Sequence, residues 1–306
     1  EACGVKAFMG ASTGDMLVDD PEVLDSLFEH SPVMVVTHCE HSPTIWENER
    51  RARERFGEDV PLSEHPKIRS AETCLMSSSM AVDLARRHDA LLHILHLTTA
   101  IEMPLFSSAH RSQKRITAEV CVHHLWFDET RYEELGTRIK CNPAIKSVQD
   151  RQALLAALNE GRIDIIATDH APHTAQEKSA TYFKAPAGLP LVQHAMLTLF
   201  DLVAQGEISV ELLVDRVSHA PADLFGVTDR GYVREGWFAD LVIVDPAAPY
   251  KVSESNLLCK CQWSPFDGHE FSASIDTTII NGEVVYRDGV LTGAIAGRRL
   301  EFERAR

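Results

Sequence analysis

The chain has 306 residues, 44% hydrophobic and 25% charged, enough apolar material for one large domain and a smaller one. Thirty Lys and Arg against 45 Asp and Glu leave a formal net charge of −15. Such a surface repels phosphate backbones, so nucleic acid is not an expected partner. An anionic substrate would need positive charge supplied locally by metal, Arg or His.

No apolar run of about eighteen residues is present to cross a membrane, and no signal peptide of the usual form is read. The seven cysteines (Cys3, Cys39, Cys74, Cys121, Cys141, Cys259 and Cys261) are scattered, several inside apolar runs. They read as reduced, mostly buried thiols of a cytoplasmic protein. Cys259-Lys260-Cys261 lacks the spacing of a zinc knuckle.

In chain order, residues 2–9 read as a short strand and Gly10 to Gly14 as a flexible turn. Pro21 to Glu29 places Val23, Leu24, Leu27 and Phe28 on one helical face. A second apolar strand, 33–37, ends in His38-Cys39-Glu40. Residues 46–58 are densely charged and read as a solvated helix or loop, and 71–88 as a helix covering the sheet. Strand 91–95 ends in His96, and strand 116–122 in His123-His124. Lys140 to Ile145 is a loop, and Arg151 to Asn159 a helix with Gly161 as its cap. Strand 163–168 then runs into Asp169-His170-Ala171-Pro172-His173-Thr174.

Strands alternating with helices predict an α/β fold with a parallel sheet. Polar residues at every strand end, with units roughly 25–60 residues long, suit a (β/α)8 TIM-type barrel. Only five C-terminal strand–helix units are counted, so about three more are expected before Glu1. Residues 1–227 form this partial barrel. Residues 228–306 read as a small β-sandwich module, with Asn281-Gly282 as a type I′ hairpin turn.

Lys6, His38, His96 and Asp169 stand at successive strand ends. Each has an ordinary reading: a salt-bridging lysine, two hydrogen-bonded histidines, an aspartate capping the next segment. Together they converge on one rim, where imidazoles and a carboxylate suit Zn²⁺ or a similar metal. A lysine joins such a set only as a carbamate formed with CO₂ in a shielded site.

These residues lie in motifs that resemble the amidohydrolase superfamily and, within it, the dihydroorotases. The motifs are Gly4-Val5-Lys6-Ala7-Phe8-Met9-Gly10, Thr37-His38-Cys39-Glu40, His93-Ile94-Leu95-His96-Leu97-Thr98-Thr99 and, above all, Thr168-Asp169-His170-Ala171-Pro172-His173-Thr174. The likeness continues through Val122-His123-His124-Leu125, Lys140-Cys141-Asn142-Pro143, Ala185-Pro186-Ala187-Gly188-Leu189-Pro190 and Gly236-Trp237-Phe238-Ala239-Asp240-Leu241.

The resemblance implies that carboxylated Lys6 bridges two Zn²⁺ ions and that His38 and His96 ligate the second. Asp169 would ligate the first and shuttle the proton. Asn142 and His173 would hold the substrate ring and its carboxylate, and the backbone around Gly188 the ring amide. A structural role is expected for His124, and an ordinary loop role stays open for Gly188. The implied reaction is reversible hydrolysis of L-dihydroorotate to N-carbamoyl-L-aspartate by a bridging hydroxide, in pyrimidine biosynthesis. A homodimer is the common assembly of the family, though no interface is readable here.

The family's His-x-His pair is absent from the 306 residues, which leaves activity of this polypeptide alone in question. Two other readings stay open: a hydantoinase- or allantoinase-type cyclic amidohydrolase, and a non-catalytic scaffold.

Overall fold

A computed structural model describes residues 2–10 and 16–303. The turn expected at 10–14 lies, from Ala11 on, outside the described residues. The chain groups into two compact units, one of residues 4–192 with 259–265, the other of residues 2–3, 193–258 and 266–303.

The first unit is built on five parallel strands in sequential order: β1 (Gly4–Phe8), β2 (Met34–His38), β3 (Leu92–Ile94), β4 (Ile116–Cys121) and β5 (Ile165–Ala167). Val35, Leu92, Ile94, Ala118, Val120 and Ile165 are buried, as expected when helices cover a parallel sheet. The crossovers carry α1 (Pro21–His30), α2 (Ser42–Phe56), α3 (His65–Ile68), α4 (Ala71–His88), α5 (Val122–Trp126), α6 (Tyr132–Leu135) and α7 (Val148–Asn159). The short α8 (Ala175–Lys178) follows β5.

Local chemistry sets the boundaries. The Asp20 carboxylate caps α1 by accepting from the Glu22 and Val23 amides. Helix α7 opens with a Ser147–Asp150 capping box, and Gly161, one residue past its C-cap Glu160, has φ 77°. The charged stretch is a true helix. Its outer face ties Arg50 and Arg51 to Glu47, while Ile45 and Ala52 pack with Val60, Ile68 and Tyr182. Within the Ile163-to-Thr174 stretch, buried Asp164 fixes β5 against β4. Its carboxylate accepts from Ala118 N at 3.1 Å and from Lys114 Nζ at 2.8 Å.

The second unit holds α9 (Ala195–Ala204), α10 (Val210–Val214) and α11 (Ala220–Phe225). Its strands are β6 (Leu241–Asp245), β7 (Tyr250–Lys251), β8 (Glu270–Phe271), β9 (Ser274–Ile280), β10 (Glu283–Arg287) and β11 (Val290–Leu291). They make a four-stranded antiparallel sheet, β11-β10-β9-β6, and a two-stranded ladder, β7-β8, where the sequence suggested a sandwich. Residues 193–227 group here and not with the parallel sheet. Asp201 on α9 explains why: it accepts from His269 Nε2 at 2.9 Å and from Ser272 N and Oγ at 2.7 Å. The β9–β10 turn has Asn281 at φ 52° and Gly282 at φ 85°, the type I′ signature.

Candidate active site

Parallel strands in consecutive order set their C-terminal ends down in one row. His38 ends β2, in register with Phe8 of β1. Past β3 the ladder continues, with Leu95 N donating to Thr37 O at 3.0 Å and Leu97 N to Glu119 O at 2.8 Å. His96 sits between these two ties with φ 38°, a left-handed conformation. Its ring meets His38 edge to face, and His38 Nδ1 and His96 Nε2 stand 3.0 Å apart, both rings buried. Burial, then the neighbouring His38, pushes the His96 pKa down to about 4 against the opposing charges of Asp169, Glu119 and Glu40. His96 is therefore neutral at pH 7, with a lone pair to offer.

Behind His38 stands Glu40, fully buried. Its Oε2 lies 3.1 Å from His38 Nε2 and accepts from the Arg69 guanidinium. Burial alone would raise this carboxyl; Arg69 and His38 outweigh it and hold it at about 2. An ionised carboxylate on one side of His38 aims its other nitrogen at the rim. The sequence displayed Glu40 inside a motif but gave it no role, because Arg69 reaches it only through the fold.

Asp169 follows β5 by two residues, with φ 46° and an exposed side chain. Its charge is felt at His96, His123, Cys121 and Cys141, so it faces the same rim. The Lys6 charge is felt at Cys121 as well. Lys6 lies mid-strand and exposed, its ammonium 4.5 Å from the centre of the Phe8 ring. The structure thus brings His38 and His96 together and sets Lys6 on an aromatic ring beside them.

The three expected substrate contacts are also on this unit. Asn142 precedes a cis proline, and its Oδ1 is buried without a hydrogen-bond partner. His173 Nε2 lies 3.2 Å from Ala187 O, and its own carbonyl accepts from Trp263 Nε1 at 2.7 Å. Gly188 has φ 141°, and a Cβ there would come within 2.5 Å of Ala171 O and 3.1 Å of His173 Cδ2. Its N–H donates to Lys140 O at 2.9 Å, and its carbonyl accepts from Lys178 Nζ at 3.0 Å. Gly188 is thereby required by packing, and a ligand is left only its carbonyl's second lone pair.

A model of the amidohydrolase family matches residues 21–285. The chain belongs to the amidohydrolase family. Curated relatives of this amidohydrolase place it on the dihydroorotase branch that the motifs resemble. The dihydroorotase of Halobacterium salinarum is 32% identical over 299 residues, covering 96% of this chain and 67% of the relative. That of Clostridium acetobutylicum is 36% identical over 222 residues, covering 72% and 52%. The chain therefore spans between about half and two thirds of the length of these relatives.

Among solved structures, the L-hydantoinase of Arthrobacter aurescens superposes with a TM-score of 0.88 at 24% identity, covering 94% of this chain and 66% of that one. A dihydropyrimidinase from Brevibacillus agri gives 0.85 at 23%, covering 95% and 65%. At these identities the likeness carries the fold alone, a barrel-type α/β architecture as expected.

The donor set of this amidohydrolase fits a metal. Zn–N bonds of about 2.0–2.1 Å put two tetrahedral ligand nitrogens about 3.3 Å apart, and the His38–His96 pair already stands at 3.0 Å. His96 Nδ1 is buried and without a hydrogen-bond partner. One feature had no signal in the sequence. Lys178 is buried and gives its ammonium to the carbonyls of Lys140, Pro186 and Gly188 at 3.1, 2.9 and 3.0 Å. Lys140 does the same for Tyr182 O and Ala185 O at 2.5 and 2.7 Å. Burial brings both lysines down to about 8, and together they shape the loop that carries Gly188.

Proposed function

We propose that this amidohydrolase is a metal-dependent cyclic amide hydrolase that opens L-dihydroorotate reversibly to N-carbamoyl-L-aspartate, a step of pyrimidine biosynthesis in the cytoplasm. The observation that carries the metal-dependent reading is the buried His38–His96 pair, its nitrogens 3.0 Å apart and backed by an ionised Glu40. The dihydroorotase relatives supply the substrate class.

His38 and His96, with Asp169 and with Lys6 as its carbamate, would hold two Zn²⁺ ions. When bound, these cations acidify a water and polarise the amide carbonyl. Asp169, exposed at the rim, takes the proton of the attacking water and returns it to the departing ring nitrogen. Glu40 and Arg69 keep the His38 ring from turning. Asn142 and His173 meet the substrate carboxylate and ring, and the Lys178-braced loop forms the wall beside them. Assembly as a homodimer is part of the same proposal.

A second reading, a hydantoinase-type specificity, is consistent with a fold shared with hydantoinases. The deciding experiment supplies the protein with Zn²⁺ and compares ring opening of dihydroorotate, hydantoin and allantoin. The expected result is a kcat/KM for dihydroorotate at least about a hundredfold above the others, the scale of binding discrimination between related substrates. Faster opening of hydantoin, or no bound metal, overturns the proposal.

A further inference from the structure

Strand β4 ends at Cys121, and the next turn carries His123 and His124. Cys121 Sγ and one ring nitrogen from each histidine all lie within 4.8 Å of one another, and the three residues are buried. Both ring nitrogens of His123, which is 1% exposed, lack a hydrogen-bond partner. His124 Nδ1 also lacks one, while its Nε2 lies 3.1 Å from Pro143 O. A buried polar group left unsatisfied is costly, and native interiors hold few. An imidazole with neither nitrogen satisfied therefore calls for a partner.

We propose that Cys121, His123 and His124 form a further, buried site for a divalent cation of the zinc class, distinct from the His38–His96 corner. The donors choose the ion. One thiol and two imidazoles suit a borderline metal, whereas Mg²⁺ and Ca²⁺ demand oxygen. Bond lengths of about 2.3 Å to sulfur and 2.0–2.1 Å to nitrogen put ligand atoms about 3.3–3.7 Å apart. A cluster already within 4.8 Å reaches that spacing by small side-chain rotations.

Binding is a balanced exchange. The Cys121 thiol gives its proton to solvent as the sulfur–metal bond forms, and the two neutral imidazoles each give a lone pair, so one proton leaves per cation. The inference does not rest on the dihydroorotase reading, because its signature is sulfur ligation, not turnover.

The test titrates metal-free protein with Co²⁺ and follows the near-ultraviolet thiolate-to-cobalt charge-transfer band together with proton release. The expected result is a band that vanishes in Cys121→Ser, weakens in His123→Gln and survives in Cys39→Ser and in His38→Ala/His96→Ala. No such band in the unsubstituted protein, or a band untouched by Cys121→Ser, overturns the site. Should Cys121→Ser fail to fold, X-ray absorption on the zinc-loaded unsubstituted protein decides: sulfur in the zinc shell supports the site, and nitrogen and oxygen alone sink it.

Discussion

The two halves of the rim are built differently. The His38–Glu40–His96 corner is buried, internally hydrogen-bonded and electrostatically fixed. The segment from Asp169 to His173 is largely exposed and is held by backbone contacts to residues 187–191. A metal-ligand corner must hold geometry and neutral imidazoles, which burial supplies. A proton-transferring group must exchange with water and substrate, which burial would prevent. The contrast predicts that substitutions in the corner act through metal, and those in the Asp169 segment through turnover.

Four substitutions and one pH titration can break that contrast. The largest effect is expected from His96→Ala. It should lose tightly held metal, read by metal analysis after dialysis, and with it essentially all ring opening; retained metal would remove His96 from the ligand set. Asp169→Asn should keep much of the metal while kcat falls about 10²- to 10⁴-fold, the usual worth of a positioned acid–base group. Loss of metal on the same scale as His96→Ala would erase the distinction.

Glu40→Gln should weaken metal affinity about 10- to 100-fold by freeing the His38 ring, measured by calorimetric titration. An unchanged affinity would leave Glu40 a purely structural partner of Arg69. Gly188→Ala must meet Ala171 O and adopt φ 141°, so a loss of about 1–3 kcal/mol in unfolding free energy is expected.

Acid should act wherever an imidazole is buried neutral, in the corner and at His65, His123, His124 and His194. In the metal-free chain His96 and His123 titrate near 4, below the 6.5 of an unfolded histidine. Between those values the unfolded state binds more protons, so stability rises with pH there and is lost as pH falls from about 6.5 towards 4. Below that, from 4.5 towards 2, the Glu40 contribution is lost as well. Urea midpoints that stay level from pH 7 to pH 4 would contradict the buried, neutral imidazoles.

Much of this was legible in the residues. Apolar runs ending in His38, His96 and Asp169 announced parallel strands and a shared rim, and the structure keeps all five strands within a few residues of their expected bounds. What was not legible depends on side-chain direction. The contact of the Lys6 ammonium with the Phe8 ring has no mark in the spacing of the motif. Glu40 and Lys178 become meaningful only once Arg69 and the carbonyls of the 185–188 loop arrive from elsewhere in the chain. The division near residue 227 followed a change of composition, whereas Asp201 binds residues 269 and 272 through contacts no periodicity records.

The left-handed backbone at His96 and Asp169 has a consequence for evolution in the laboratory. Both positions hold conformations that glycine would adopt at less cost. Selection for thermal stability alone should therefore drift towards glycine at 96 and 169, and a loss of metal or turnover in such hardier variants would show what those two side chains supply.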